Sequence, residues 1–125
     1  TSFGGMVILG ALEPSLKALA LIATPCHIPP LETLDTNTNS PLQSDLARYD
    51  LLSAIRETRL PVLIVHGDGD TAVPVQNSHL LFQNARDPKH MVEIEGADHV
   101  FSQTEHRQRV NEVCVQWFKT YLLRI

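Results

Sequence analysis

The most informative segment of this chain is Pro61-Val-Leu-Ile-Val-His-Gly-Asp-Gly-Asp-Thr-Ala-Val-Pro74. Its first half is a continuous apolar run, which is typical of a strand covered on both faces in a parallel sheet. Its second half is rich in Gly and Asp, which favour a sharp turn where a strand ends. We therefore predict a buried strand over Pro61 to His66 and, after it, a turn that carries polar side chains.

The segments on either side predict alternating helices and strands. Two further strands are predicted, one over the short apolar run Leu19 to Ala23 and one over His90 to Glu95. Helices are predicted over Phe3 to Leu12, from Ser40 to no later than Thr58 with a restart near Asp50 as an alternative, over roughly Pro74 to Ala85, and over the amphipathic stretch His106 to Leu122. On the third of these helices, one face can be formed by Val75, His79, Leu80 and Phe82. This order predicts an α/β fold with a parallel three-stranded sheet flanked by helices.

Composition and charge exclude several function classes. The chain has 125 residues, 43% of them hydrophobic, and ten Lys and Arg against fourteen Asp and Glu. The net charge of −4 provides no basic excess to neutralise phosphates, so we expect no nucleic-acid partner. The apolar runs are shorter than a membrane span needs, and we expect no membrane association. Two cysteines make no disulfide framework, and neither they nor the histidines have metal-ligand spacing, so we expect no metal and no cofactor.

Three chemically suitable residues fall where strands end in such a sheet. Ser2 precedes the first helix, Asp70 follows the second strand, and His99 follows the third. The carboxyl ends of parallel strands share one edge, where ligands bind. A serine hydroxyl becomes a good nucleophile when a histidine takes its proton, and an acid orients that histidine. The sequence therefore predicts a site for nucleophilic acyl transfer.

The sequences around these residues resemble the motifs of the α/β-hydrolase superfamily. Thr1-Ser-Phe-Gly-Gly5 is similar to the nucleophile elbow, His66-Gly-Asp-Gly-Asp-Thr-Ala-Val-Pro74 to the acid-bearing turn, and Gly96-Ala-Asp-His-Val-Phe101 to the histidine loop. The resemblance covers the whole chain as the C-terminal half of that fold. Within it, the chain is similar to cinnamoyl or feruloyl esterases, to prolyl-oligopeptidase-like hydrolases and to serine aminopeptidases.

The resemblance implies a role for each residue. Ser2 would be the nucleophile, Asp70 the acid and His99 the general base, and the backbone N–H of Phe3 would be one oxyanion donor. Residues 1–125 would form a partial domain that starts at the elbow, with a small lid or insert over residues 26–58. The substrate would be a small carboxylic ester or a peptide, and the location cytoplasmic.

Other interpretations of the same residues remain open. Asp68 and Asp98 compete with Asp70 for the role of acid, although the position of Asp70 at the strand end favours it. Gly67-Asp-Gly-Asp-Thr-Ala72 also fits a dinucleotide-binding fingerprint, but its two aspartates would repel a pyrophosphate. Thr1 could act as an N-terminal nucleophile. The remaining histidines are expected to be structural or solvated, namely His27, His66, His79, His90 and His106.

A function of a different class also fits the predicted topology. Three strands make a small sheet, and the strand at Leu19 to Ala23 is expected to have an exposed edge. A catalytically inactive fragment or interaction module would pair with itself or with a partner along that edge.

Overall fold

The computed structural model of the chain describes residues 17–26 and 51–122. These residues form one parallel sheet in the order β1-β2-β3, and three helices flank it. The strands are β1 (Leu19–Ile22), β2 (Val62–Gly67) and β3 (Lys89–Ile94). The helices are α1 (Leu51–Glu57), α2 (Gln76–Asn84) and α3 (Thr104–Leu122). The α/β class and the parallel three-stranded sheet are therefore confirmed.

Several sequence predictions concern other parts of the chain. The predicted helix over Phe3 to Leu12 lies outside the described residues, as does the predicted helix start at Ser40. Of the predicted insert over residues 26–58, the structure describes Cys26 and the C-terminal end, where α1 contributes Leu51 and Ile55 to the core.

The middle strand, β2, is the centre of the sheet. It hydrogen-bonds to β1 on one side and to β3 on the other, with Val62 opposite Leu19 and Lys89. All six of its residues are buried, as expected for a strand that helices cover on both faces. Alternate side chains point to opposite faces of a strand, so β2 supplies apolar residues to two separate clusters.

The two clusters lie on opposite faces of the sheet. On one face Val62 and Ile64 pack with side chains of α1 and α2, including Leu51, Ile55 and Leu81. On the other face Leu63 and Val65 pack with Val110 of α3 and with residues of the segment that precedes α3, including Ala97 and Phe101. This arrangement holds both ends of β2 and β3 in fixed positions, including the carboxyl ends where the polar turns begin.

The face predicted for α2 matches the structure only in part: Phe82 packs partly buried against the core. His79 and Leu80 are exposed, and the buried residues of the helix are Asn77, Ser78 and Leu81. Polar contacts explain why these residues are buried. The Asn77 carboxamide oxygen accepts a hydrogen bond at 3.0 Å from the backbone N–H of Cys26, and Ser78 contacts His66 of β2. These buried contacts set the rotation of α2 about its axis, because a buried polar group without a partner costs free energy.

The last helix follows its predicted pattern. Val110 of α3 is buried, and Val113, Cys114 and Trp117 pack partly buried against the same cluster. The opposite face of α3 is exposed. Neither α3 nor either of the other helices in the described part of the chain combines the length and apolar character of a membrane span.

Candidate active site

The turn that follows β2 fixes a buried aspartate. The backbone N–H of Asp70 donates to the carbonyl of Gly67 at 3.2 Å, which closes the turn. One carboxylate oxygen of Asp70, Oδ1, accepts hydrogen bonds from the backbone N–H groups of Ala72 at 2.9 Å and Val73 at 2.7 Å. The side chain is fully buried. Asp70 is therefore held by its own turn, in the way that Asx turns use a short acidic side chain.

The loop that follows β3 presents a histidine at the same edge of the sheet. Gly96 has a φ of 74°, a left-handed conformation that glycine adopts without steric cost. Phe101 also has a positive φ, 52°, and its ring is buried. Asp98 accepts hydrogen bonds at 2.7 Å from the backbone N–H and the hydroxyl of Ser102, and these bonds lower the pKa of the Asp98 carboxyl. The loop is thereby closed around His99.

Asp70 and His99 are in direct contact. The distance between His99 Nδ1 and Asp70 Oδ2 is 2.7 Å, and the imidazole is one-quarter exposed while the carboxylate is buried. A carboxylate can only accept a hydrogen bond, so Nδ1 carries the proton and donates it. This contact orients the imidazole and sets its tautomer, which leaves the acid–base chemistry of the ring to Nε2.

The carboxyl of Asp70 is ionised despite its burial. Burial alone would raise its pKa, but hydrogen bonds from Val73, His99 and Ala72 and the charge interaction with His99 outweigh the loss of solvation. The net effect lowers the pKa of Asp70 below its ordinary value. At neutral pH the imidazole of His99 therefore faces a negative charge that can stabilise an imidazolium.

Backbone contacts lock the acid turn and the histidine loop together. The N–H of Gly69 donates to the carbonyl of Ala97 at 3.0 Å, and the N–H of Gly96 donates to Asp68 Oδ1 at 2.6 Å. Gly67 lies so close to Ala97 that a Cβ at this position would be 2.3 Å from the Ala97 carbonyl oxygen. Only glycine fits at position 67, and this close approach brings the two loops within reach of each other.

The structure distinguishes among the three candidate aspartates. Asp70 contacts His99, whereas Asp68 is exposed and binds Gly96, and Asp98 binds Ser102. The predicted nucleophile Ser2 and the predicted oxyanion donor Phe3 lie outside the described residues. Within residues 17–26 and 51–122, no group of three or more His, Cys, Asp or Glu is placed to hold a metal ion.

Two residues that the sequence motifs do not assign to the site lie behind Asp70. His66 and Ser78 are fully buried beside Asp70, with His66 Nε2 3.2 Å from Asp70 Oδ2 and His66 Nδ1 2.5 Å from Ser78 Oγ. The four-residue spacing between His66 and Asp70 was visible in the motif, but the contribution of Ser78 depends on the rotation of α2.

The parallel sheet and its flanking helices have the α/β-hydrolase fold. Residues 1–124 match the model of the prolyl oligopeptidase family, peptidase family S9, and the chain belongs to that family.

Three proteins illustrate how far the similarity to known proteins extends. The esterase domain of a Rhodothermus marinus protein is 30% identical with a TM-score of 0.81 over 96% of this chain, which spans 59% of that domain's length. A Mycobacterium tuberculosis puromycin-hydrolysing peptidase shares the fold, with a TM-score of 0.71, 18% identity, and 95% of this chain aligned to 20% of that one. The uncharacterised protein YfhR of Salmonella typhimurium is 44% identical over 41 residues, which are 33% of this chain and 14% of YfhR.

Proposed function

We propose that this chain carries the catalytic residues of a serine hydrolase that cleaves a carboxylic ester or a peptide bond through an acyl-enzyme. The observation that carries the proposal is the 2.7 Å contact between buried, ionised Asp70 and His99 Nδ1. An ionised acid that fixes the tautomer of a partly exposed histidine is the arrangement that a histidine general base requires. Membership of a peptidase family and the 30% identity to an esterase domain support hydrolysis as the reaction class.

In this proposal the reaction has two halves. His99 Nε2 takes the proton of the Ser2 hydroxyl while Ser2 Oγ bonds to the substrate carbonyl carbon, and the backbone N–H of Phe3 donates to the oxyanion. The oxyanion collapses, the bond to the leaving alcohol or amine breaks, and that group takes the proton from His99. Water then attacks the acyl-enzyme with the same proton transfers and releases the acid and Ser2. Asp70 stabilises the His99 cation in both halves.

A fluorophosphonate probe tests this proposal on the 125-residue chain. The activated serine attacks phosphorus and displaces fluoride, so mass spectrometry of digested protein locates the adduct. We expect the adduct on Ser2. In Ser2→Ala and in His99→Ala we expect the rate of labelling to fall by about 10³-fold or more. An adduct that persists in Ser2→Ala, or that forms on another residue, would contradict the proposal.

Two matched variants control this experiment. Thr1→Ala removes the neighbouring hydroxyl and tests the alternative N-terminal nucleophile, and we expect it to label like the wild type. His90→Ala removes an exposed histidine at the opposite end of β3 from His99, and we expect unchanged labelling. Turnover of a p-nitrophenyl ester against the corresponding p-nitroanilide then separates esterase from peptidase activity.

A second proposal, pairing with a partner along β1, rests on a different observation. Among the described strands, β1 hydrogen-bonds to β2 only, although Leu19 and Leu21 are buried. An apolar strand with one unpaired edge is a template for strand addition. Sedimentation velocity over a wide range of protein concentrations tests this proposal. A monomer at every concentration would reject self-association along β1.

A further inference from the structure

A buried polar pair lies behind Asp70, and the reaction outlined above does not use it. His66 points to the α2 face of the sheet because it has the same parity along β2 as Val62 and Ile64. There it meets Ser78 of α2, and both side chains are completely buried. Polar side chains are costly at such a position unless each polar atom has a partner, so their contacts call for an explanation.

The contacts of His66 fix where its proton lies. Nε2 faces two oxygen atoms that can only accept, the carbonyl of Val73 at 2.7 Å and Oδ2 of Asp70 at 3.2 Å. Nε2 therefore carries the hydrogen. In the neutral ring Nδ1 is then an acceptor, and the Ser78 hydroxyl donates to it at 2.5 Å. His66 therefore links Ser78 to the carbonyl of Val73 by hydrogen bonds, and its Nε2 also lies 3.2 Å from Oδ2 of Asp70.

The same carboxylate is held from two directions. The backbone N–H groups of Ala72 and Val73 hold Oδ1, whereas Oδ2 is shared between His99 on the open side and His66 on the buried side. His66 also binds the carbonyl of Val73, whose N–H binds Asp70. Without His66, Oδ2 of Asp70 would have no contact with a side chain on its buried side. The carboxylate could then rotate more freely about its bond to Cβ and move the oxygen that His99 uses.

We propose that His66 and Ser78 are positioning residues that hold Oδ2 of Asp70 in line with His99 Nδ1. This inference rests on the proposed function of Asp70 as the catalytic acid. His66 does not touch a substrate; it acts through Asp70. A carboxylate that is fixed before the histidine is charged spends no energy on reorganisation during the reaction.

The test uses the 125-residue chain with three variants and one control. His66→Leu removes both ring nitrogens at similar size, His66→Gln retains an N–H donor that can reach Asp70, and Ser78→Ala removes the donor to Nδ1. His79→Gln is the control, because His79 is a half-exposed histidine of α2 that contacts Glu93. Each variant is first checked for folding by its thermal melt.

The first readout is the rate of fluorophosphonate labelling. We expect His66→Leu to label about 10²-fold more slowly and Ser78→Ala about tenfold more slowly, whereas His66→Gln recovers most of the rate. His79→Gln should label like the wild type. Recovery by glutamine separates positioning from simple filling of space, because leucine fills the site equally well.

The second readout is the NMR signal of the Nδ1 proton of His99, which requires no catalysis. We expect a low-field resonance in the wild type that survives in His66→Gln and is lost or shifted upfield in His66→Leu and Ser78→Ala. If the wild type shows this resonance but no labelling, the proposed function fails while positioning is still decided by the variants. Unchanged resonance and labelling in folded His66→Leu would overturn the inference; should that variant not fold, the same result in Ser78→Ala would overturn it.

Discussion

Replacing Gly67 by alanine should damage the site through a single backbone contact. The new Cβ would lie 2.3 Å from the carbonyl oxygen of Ala97, and Cβ atoms essentially never approach other atoms below 3.0 Å. The difference between 3.0 Å and 2.3 Å, 0.7 Å, is the least by which the two loops must separate. The clash is with backbone, so no side-chain rotation can relieve it, and the loop that moves carries His99 two residues further on.

Two opposing effects determine the size of the result. Overpacking costs about 1–3 kcal/mol, whereas loss of glycine freedom in the unfolded chain stabilises by about 0.4–1 kcal/mol. We expect Gly67→Ala to lower the free energy of unfolding by about 1.3 kcal/mol, which is the difference between the midpoints of these two ranges. Displacement of His99 relative to Asp70 should slow fluorophosphonate labelling by on the order of tenfold to a hundredfold, since misplacement by about 1 Å can cost about 10²-fold.

Gly69→Ala is the matched control for this experiment. Its Cβ would lie 3.1 Å from the carbonyl oxygen of the same residue, Ala97, which is tight but tolerable. Both variants gain the same restriction of the unfolded chain, so the difference between them isolates the clash. Urea unfolding measures stability and probe labelling measures the site. If Gly67→Ala matches Gly69→Ala in both measurements, the close approach of the two loops neither stabilises the fold nor positions His99 relative to Asp70.

Three further predictions concern charge, core packing and backbone conformation. Asp70→Asn should slow probe labelling by about 10³–10⁴-fold, because the histidine loses its ionised partner. The pKa of Asp70 is lower in the folded chain than in the unfolded chain, where it is about 3.9. The ionised carboxylate therefore stabilises the fold at pH values above about 3.9, and this stabilisation is lost as the pH falls through the folded-state pKa. The free energy of urea unfolding, measured at stepwise lower pH, should therefore fall more steeply in the wild type than in Asp70→Asn. Parallel plots of this free energy against pH would contradict the prediction. Ile55→Ala should cost about 2–5 kcal/mol in urea unfolding, because Ile55 is fully buried, whereas Leu80→Ala, at an exposed position of α2, should change stability by about 0.5 kcal/mol or less. Gly96→Ala meets no neighbouring atom, yet its φ of 74° should cost about 1–2 kcal/mol in the same assay; a neutral result would show that the loop relaxes.

Strands could be predicted from sequence because short apolar runs end at residues that stop a strand. β1 and β2 lie at the predicted Leu19 to Ala23 and Pro61 to His66, within one residue at each end. β3 begins and ends one residue earlier than predicted, since the chain already turns at Ile94, whose carbonyl accepts from Ala97 N–H at 3.2 Å. Patterns of hydrophobicity locate strands well, but hydrogen bonds of the following turn fix their last residue.

The helix starts could be predicted less well. α2 begins at Gln76, two residues after the predicted Pro74, because Val73 belongs to the turn that binds Asp70. α3 begins at Thr104, two residues before the predicted His106. A helical pattern in the sequence does not fix the first residue of a helix.

Parts of the site could be predicted from chain order, and others could not. Asp70 and His99 follow consecutive parallel strands, and topology alone places such residues at one edge of the sheet. The partnership of His66 with Ser78 depends on how α2 is rotated against the sheet. That rotation is set by buried polar contacts between distant residues, and periodicity in the sequence cannot specify them.

The contacts described for Asp70 and His99 all come from residues 66–102, which has a consequence for protein engineering. The strand ends, both loops and α2 form a contiguous cassette that brings its own hydrogen bonds to the acid and the histidine. A designer who grafts this cassette onto another parallel sheet needs to match two strand positions, the cover of one helix, and the backbone N–H that Cys26 donates to Asn77. Substrate preference can then be altered in other segments of the host without rebuilding the acid–histidine pair.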